Sequence, residues 1–173
     1  MGTAAPGARS TGSSSLPFSS ASRTIVQPQP PAGSCHATGS DAFSGPDLHC
    51  TPGARDPAVK QSTIDTTICV KGYTATVRPP SSITHTEKIA STAAYGDTLP
   101  PSHYEYDHLV SLQLGGAPND PRNLWPEPGK IPNPKDRVEN RLHRDVCDHK
   151  ITLNAAQREI AKAWISTYHH LFG

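Results

Sequence analysis

The sequence contains no long hydrophobic run. Hydrophobic residues make up only 34% of its 173 residues, and 18 residues are proline. A membrane-spanning helix needs about 20 consecutive apolar residues, and no segment approaches that length. The first thirty residues also lack the apolar core of about 7 to 15 residues that a secretory signal peptide carries. We therefore expect no membrane association, and if the protein is exported, we expect its signal to lie upstream of Met1 or to have been removed.

An excess of charge of either sign is also missing. The chain has 16 Lys and Arg residues against 15 Asp and Glu residues, which gives a formal net charge of +1. Proteins that bind nucleic acid mainly through electrostatic attraction carry a clear basic excess. The sequence therefore predicts no strong nonspecific binding to DNA, and any basic surface must be local.

Ser, Pro and Gly are abundant in the first 50 residues, which show no sustained hydrophobic periodicity. Such a segment cannot bury enough apolar surface to offset the entropy lost when it becomes ordered. We expect residues 1–50 to form a disordered tail and residues 51–173 to form one domain, because the remaining length suits a single domain.

The stretch from Tyr104 to Pro126 reads YEYDHLVSLQLGGAPNDPRNLWP. It begins with a mostly apolar extended run in which Asp107 and His108 are adjacent. Neighbouring residues of a strand point to opposite faces, so ionisable groups interrupt both faces of this run. Burying such groups is costly unless a site uses them. Gly115-Gly116 and the turn-forming residues after it predict a reversal of the chain.

A second short apolar run, Asn123-Leu124-Trp125, can return antiparallel to the first run as a hairpin. Asn133-Pro134 then supplies a favoured helix N-cap followed by a proline at the first helical position. Val138, Leu142 and Val146 recur every four residues and predict a helix from Pro134 to about Val146. The predicted order is strand, turn, strand, helix.

This order of elements, with Asp107-His108, Asn123 and Asn133 at these places, resembles the HNH (His-Asn-His) endonucleases of the ββα-metal fold. The segments TPGARDPAV (51–59) and CVKGYTATVRPP (69–80) extend the resemblance, over about residues 50–170, to small secreted actinobacterial-type members. Asn stands at the third motif position, where many members have His. The resemblance implies an α+β fold with a ββα-metal core at about residues 104–147, a preceding extended segment and flanking helices.

Residue by residue, the resemblance implies that His108 is the general base and Asp107 a metal ligand. Asn123 would be the middle Asn, which ties the loop between the strands, and Asn133 would be a second metal ligand. Lys135, in the first turn of the helix and near the proposed ion, is a candidate contact to the substrate phosphate, as is Arg122.

Hydrolysis of a phosphodiester bond needs an activated water and charge neutralisation at phosphorus, which one divalent ion and one base can supply. An imidazole titrates near neutral pH and suits the base. Carboxylate and amide oxygens suit Mg²⁺ best, with Mn²⁺ next. The predicted function is a metal-dependent endonuclease that acts on DNA, with RNA as the other candidate substrate.

Two alternatives remain open. The protein could be a noncatalytic secreted binding module that keeps the ββα frame and a structural ion. Alternatively, Asp107 and His108 could only fasten the loop, by pairing with backbone groups or with Arg122. Adjacent strand residues diverge, so both side chains can flank one ion only where the backbone is twisted or bulged.

The four cysteines form no CxxC pair, which disfavours a zinc ribbon. Four thiols allow three pairings. We favour Cys69 with Cys147 and Cys35 with Cys50, because the first pair joins the segment before the motif to the end of the helix after it. Cys35-His36 and His49-Cys50 could instead hold zinc. Disulfides form in oxidising compartments, so we expect a secreted or extracytoplasmic protein.

Three further elements flank the motif. Residues 62–77 are rich in Thr, Ile and Val and predict two short extended segments. Thr84 or Thr86 could cap a short helix that ends at Ala94. Thr152 can cap a last helix, whose apolar stripe includes Ile160 and Trp164.

Overall fold

The computed structural model describes residues 23–129 and 131–173, and residues 1–22 of the predicted tail lie outside the described residues. The fold is α+β, with two small antiparallel sheets. Its strands and α-helices are β1 (Thr38–Ser40), β2 (Phe43–Gly45), α1 (Tyr73–Val77), α2 (Ser81–Ala94), β3 (Tyr104–His108), β4 (Leu124–Pro128), α3 (Pro134–Cys147) and α4 (Leu153–Phe172). Short 3-10 helices lie at Gln61–Thr66, Pro101–His103 and Leu112–Leu114.

The hairpin of β3 and β4 and the helix α3 that follows it form the centre of the molecule. Asp107 of β3 lies opposite Trp125 of β4, and His108 lies opposite Leu124. Helices α3 and α4 pack on each other, and the core they share with the hairpin includes the fully buried side chains of Trp125, Val138, Val146 and Ile160. The predicted sequence of strand, turn, strand and helix is therefore present, with the helix one residue longer than expected.

Helix α3 begins with a capping box. The side-chain oxygen of Asn133 accepts a hydrogen bond from the backbone N–H of Asp136 (3.1 Å), and the backbone N–H of Asn133 donates to the Asp136 carboxylate (2.8 Å). Thr152 caps α4 in the same way, since its hydroxyl oxygen accepts from the backbone N–H of Ala155 (3.1 Å). Both predicted helix starts are confirmed. Helix α2 begins at Ser81, one turn earlier than predicted.

The loop between β3 and β4 depends on its glycine pair. Gly115 has a φ of +73°, which side-chain-bearing residues rarely adopt. At Gly116 an added Cβ would lie 1.6 Å from the carbonyl oxygen of Val110 and 2.7 Å from the side-chain nitrogen of Asn123. Only glycine lets the loop approach the hairpin this closely.

Residues 23–50, which the sequence predicted to belong to a disordered tail, are packed against the domain. The backbone N–H of Cys35 donates to the carbonyl oxygen of Ala94 at the end of α2 (3.0 Å), and Cys35 is fully buried. Phe43 of β2 packs on α4, with ring centroids 6.1 Å from Trp164 and 5.2 Å from Tyr168. A few well-placed apolar residues thus anchor a segment whose average composition resembles that of a disordered chain.

The two extended segments predicted for residues 62–77 are wrong, because this region forms the 3-10 helix Gln61–Thr66 and the helix α1. Its threonines bond to nearby backbone instead of pairing with a strand. The hydroxyl of Thr67 donates to the carbonyl oxygen of Thr63 (2.6 Å), and that of Thr66 donates to the same oxygen (3.1 Å). Such local bonds compete with strand formation.

Both predicted disulfides are confirmed. Cys35 pairs with Cys50 across 15 residues and Cys69 pairs with Cys147 across 78 residues. The first bond consumes the thiols that the zinc alternative needed. Disulfides of this kind are typical of extracellular proteins. Over the part of the chain that the structure describes, no helix is both long and apolar enough to span a bilayer.

Candidate metal centre

Three carboxylates converge on one face of the β3–β4 hairpin. Glu105 and Asp107 are two residues apart on β3 and therefore share a face, and Glu127 lies directly opposite Glu105 on β4. One carboxylate oxygen of each residue lies within 4.8 Å of the other two. Glu127 is only 2% exposed. Like charges directly opposite each other destabilise a hairpin, so this group needs protons or a cation to be stable.

Proximity and burial change the acidity of these groups. Burial, followed by repulsion from Asp107, raises the pKa of Glu105 to about 7. The same two causes, in the same order, raise the pKa of Glu127 to about 10. At neutral pH and without a cation, Glu127 therefore holds a proton. Oε1 of Glu127 is buried and receives no hydrogen bond from any donor in the described part of the chain. The three carboxylates form an oxygen-only donor set of the kind that divalent cations such as Mg²⁺ prefer.

Asn133 lies at this centre, as the sequence predicted, but in a different role. Its side-chain nitrogen donates to one carboxylate oxygen of Glu105 (3.1 Å) and to one of Glu127 (3.3 Å). The side-chain oxygen, which was expected to bind the ion, instead accepts the hydrogen bond of Asp136 at the start of α3. Asn133 therefore orients two carboxylates with its nitrogen, while its oxygen caps α3.

Glu105 and Glu127 were not predicted from the sequence as site residues. A signal for Glu105 was present, because strand alternation places it on the same face as Asp107. No comparable signal pointed to Glu127. Its position opposite Glu105 follows from the register of the two strands, which a loop of fifteen residues between them does not define from sequence.

Lys135 corrects the prediction of a phosphate contact. The side chain is only 1% exposed, and its ammonium donates to the carboxylate of Asp107 (2.6 Å), to the carbonyl oxygen of His108 (2.8 Å) and to the carboxylate of Glu139. Burial lowers the pKa of Lys135, but Asp107 and Glu139 outweigh burial and leave the pKa above its usual value. Lys135 is thus a permanent internal cation that fixes Asp107, and it cannot reach a substrate.

His108 follows Asp107 on β3, and it is only 6% exposed. Its Nε2 lies 2.9 Å from the carbonyl oxygen of Pro118. A carbonyl oxygen only accepts hydrogen bonds, so Nε2 must carry the proton and Nδ1 must carry the free lone pair. Burial lowers the pKa of His108 to about 4, which keeps the ring neutral at pH 7. The ring is therefore in the protonation state that a base requires.

Asn123 ties the loop between the strands, and this prediction is confirmed. Its side-chain oxygen accepts from the backbone N–H of Val110 (2.9 Å), and its side-chain nitrogen donates to the carbonyl oxygens of Val110 (3.0 Å) and Ala117 (3.1 Å). The residue is completely buried. Because Ala117 precedes Pro118, Asn123 also positions the carbonyl group that holds His108.

Arg122 lies at the surface next to this loop. Its side chain is 69% exposed and forms a bidentate pair with Asp120, with N–O distances of 3.0 and 2.6 Å. The guanidinium would have to exchange this carboxylate for a phosphate in order to contact substrate. Its predicted role as a phosphate contact stays a prediction.

A second group with the residue types of a metal site consists of Cys69, His143 and Cys147. The two sulfur atoms are joined in a disulfide, so neither can act as a thiolate ligand. Nε2 of His143 lies 2.9 Å from the carbonyl oxygen of Ile68. This group is structural, and the three-carboxylate centre is the candidate metal site.

No family model, no curated protein and no solved structure matches the chain. The motif in the sequence and the geometry of the three-carboxylate centre are therefore the basis for its function.

Proposed function

We propose that the protein is a secreted, metal-dependent endonuclease that hydrolyses phosphodiester bonds of DNA, with RNA as the other candidate substrate. In this proposal β3, the loop, β4 and α3 form a ββα-metal core of the HNH type. The observation that carries the proposal is the group of three carboxylates, Glu105, Asp107 and Glu127, on the hairpin whose first strand also carries the neutral imidazole of His108. The two disulfides support a location outside the cytoplasm.

The metal would be held by the carboxylates of Glu105, Asp107 and Glu127. Asn133 holds Glu105 and Glu127 in place, and Lys135 holds Asp107. An all-oxygen donor set suits Mg²⁺, with Mn²⁺ as the alternative. When bound, a divalent ion would polarise a phosphoryl oxygen and offset the charge that develops on the departing oxygen.

His108 supplies the base. Nδ1 accepts a proton from the attacking water, while the N–H at Nε2 remains bonded to the carbonyl of Pro118. That carbonyl fixes the ring orientation and stabilises the imidazolium ion after the proton has moved.

The second candidate is a noncatalytic secreted binding module with a structural ion. One observation favours it, the burial of His108 together with its hydrogen bond to the backbone of Pro118. In that case His108 would only fasten the loop, and the three carboxylates would bind a cation that stabilises the hairpin. The two candidates share the metal centre and differ in whether the bound ion supports turnover.

Plasmid nicking separates the two candidates. The wild-type chain is incubated with supercoiled DNA in Mg²⁺, in Mn²⁺ and in EDTA, beside His108→Ala. We expect nicking in the presence of metal, none in EDTA, and a loss of about 100-fold or more in His108→Ala, the usual range for a general base. His108→Gln is the control for unfolding, because its side-chain amide can still donate a hydrogen bond to the carbonyl oxygen of Pro118 but cannot act as a base. We expect it to lose nicking activity while remaining folded. His170→Ala, an exposed histidine on α4, should leave nicking unchanged.

Metal binding without cleavage of plasmid, single-stranded DNA or RNA would contradict the endonuclease proposal and favour the binding module. Full activity of a folded His108→Ala variant would remove His108 from the proposed reaction. Circular dichroism of each variant establishes that it is folded.

A further inference from the structure

A cleft of about 510 Å³ opens between α2 and the start of β3. We name it the α2 cleft. Ser81, Thr84, His85 and Lys88 line it on the α2 side, and Glu105 lies on the opposite side. Because Glu105 also belongs to the three-carboxylate centre, the cleft borders the candidate metal site at this residue.

The cleft side of α2 has an unusual composition for a helix face. Positions 81, 84, 85 and 88 follow the spacing of residues that share one face of a helix. All four are polar or basic, and none is acidic. The buried residues Glu87 and Ala94 lie on a different side of the helix, and the buried residues Ser91 and Thr92 continue the cleft row toward the C-terminal end of α2. Helix α2 therefore presents a short row of hydrogen-bond donors, from Ser81 to Lys88, to the cleft.

Lys88, the cation in this row, has no carboxylate partner among the described residues. The ion pairs of the described residues involve other side chains, and neither Lys88 nor His85 takes part in one. Lys88 is half-buried and lines the cleft. One wall of the cleft carries the unpaired ammonium of Lys88, and the other carries Glu105 of the candidate metal centre. With an ion bound at that centre, the two walls would complement a chain of phosphates.

We propose that the α2 cleft binds the sugar–phosphate backbone of one nucleic-acid strand beside the bond to be cleaved. Lys88 contacts a phosphate by charge, and His85 and the hydroxyls of Ser81 and Thr84 donate hydrogen bonds to phosphate or sugar oxygens. Contacts of this type position a strand without reading its sequence. The inference rests on the proposed endonuclease function, because it assigns to that reaction the groove through which its substrate reaches the metal.

The test measures binding of a fluorescein-labelled single-stranded oligonucleotide by anisotropy in Mn²⁺, over a series of salt concentrations. His108→Gln serves as the background, so that the strand is not cut. Lys88→Gln should weaken binding severalfold and should reduce the slope of log K against log salt by about 0.7, the value of one phosphate contact on a single strand. His85→Gln should weaken binding to a smaller extent. Lys162→Gln, which removes an equal charge from exposed α4, should change neither quantity.

Unchanged affinity and slope in Lys88→Gln would overturn the proposal, as would an equal loss in Lys162→Gln. If the wild-type chain nicks plasmid while Lys88→Gln binds normally, only the assignment of the cleft is wrong. If the wild-type chain never nicks plasmid but its binding depends on Lys88, the cleft assignment stands and the endonuclease proposal fails.

Discussion

Glu105 on β3 and Glu127 on β4 lie directly opposite each other across the hairpin. Asp107 lies next to this pair, within 4.8 Å between carboxylate oxygens. An apolar or oppositely charged pair at the same place would stabilise the hairpin. Two carboxylates at this place repel each other and destabilise it. A protein that keeps such a pair in a buried position loses stability there, and a bound cation would restore it.

The ammonium of Lys135 stabilises the folded chain by neutralising buried carboxylates. In Lys135→Met, Asp107 and Glu139 would be left as buried acids without their cation. Breaking a buried ion pair in this way typically costs roughly 3–5 kcal/mol. We expect urea denaturation to show a loss of this size, while Lys162→Met at the surface of α4 should change the free energy of unfolding by less than about 0.5 kcal/mol.

A second substitution tests whether the charge is the cause. Adding Glu139→Leu to Lys135→Met removes one of the stranded acids and should recover part of the lost stability. Equal stability of Lys135→Met and Lys162→Met would show that the buried ammonium contributes nothing.

Stability of the metal-free protein should fall as the pH rises from 7 to 9. Glu127 has an ordinary pKa of 4.5, and burial followed by repulsion from Asp107 raises it to about 10 in the folded chain. The folded state therefore binds more protons than the unfolded state, and it loses stability as pH rises through this window. Thermal unfolding in EDTA at pH 7, 8 and 9 measures the effect, which Glu127→Gln should largely remove. A melting temperature that stays constant or rises in the wild-type chain would contradict the assignment.

His108 produces the opposite trend at lower pH. Burial lowers its pKa from 6.5 to about 4, so the folded state binds fewer protons than the unfolded state below about pH 6.5. Its contribution to stability is lost as the pH falls from 6.5 toward 4. His108→Gln should show a smaller loss of stability than the wild-type chain between pH 6.5 and 5. Identical pH profiles of the two proteins would show that the imidazole does not titrate as its burial implies.

The two disulfides should differ in their effect on stability. In the chain-entropy model, the bond across 78 residues contributes about 4.5 kcal/mol and the bond across 15 residues about 3 kcal/mol. Replacing Cys69 and Cys147 together by Ala should therefore cost more than replacing Cys35 and Cys50. Urea unfolding of both double variants measures the two losses. The reverse order would mean that packing of residues 23–50, and not loop closure, controls the difference.

Local and periodic signals in the sequence predicted much of this fold. The caps at Asn133 and Thr152, the apolar repeat of α3 and the tie at Asn123 all depend on residues close in sequence or on one strong motif. Both disulfide pairings were also correct. The caps and the apolar repeat have a short-range physical cause, which a single sequence contains. The tie at Asn123 was predicted from the resemblance of the motif, and the Cys69–Cys147 bond joins residues 78 apart.

The features that the sequence did not predict depend on contacts between distant segments. From the sequence, Lys135 is a first-turn residue that could contact a substrate phosphate. The packing of α3 on β3 instead encloses its ammonium between Asp107 and Glu139. Residues 23–50 are ordered because Phe43 packs on α4, more than 100 residues further along the chain. Residues 61–77 have the composition of strands, yet their threonines bond to local carbonyls.

Binding of Mn²⁺ to the purified chain, followed by electron paramagnetic resonance, tests the three-carboxylate centre without relying on any activity. The wild-type chain should bind one ion per molecule, and Glu105→Gln and Glu127→Gln should each weaken binding by about tenfold or more. Asp65→Asn, which alters an exposed carboxylate far from the centre in sequence, should bind as the wild type does. The absence of stoichiometric binding to the wild-type chain, or equal affinity in Glu127→Gln, would contradict a metal site at Glu105, Asp107 and Glu127.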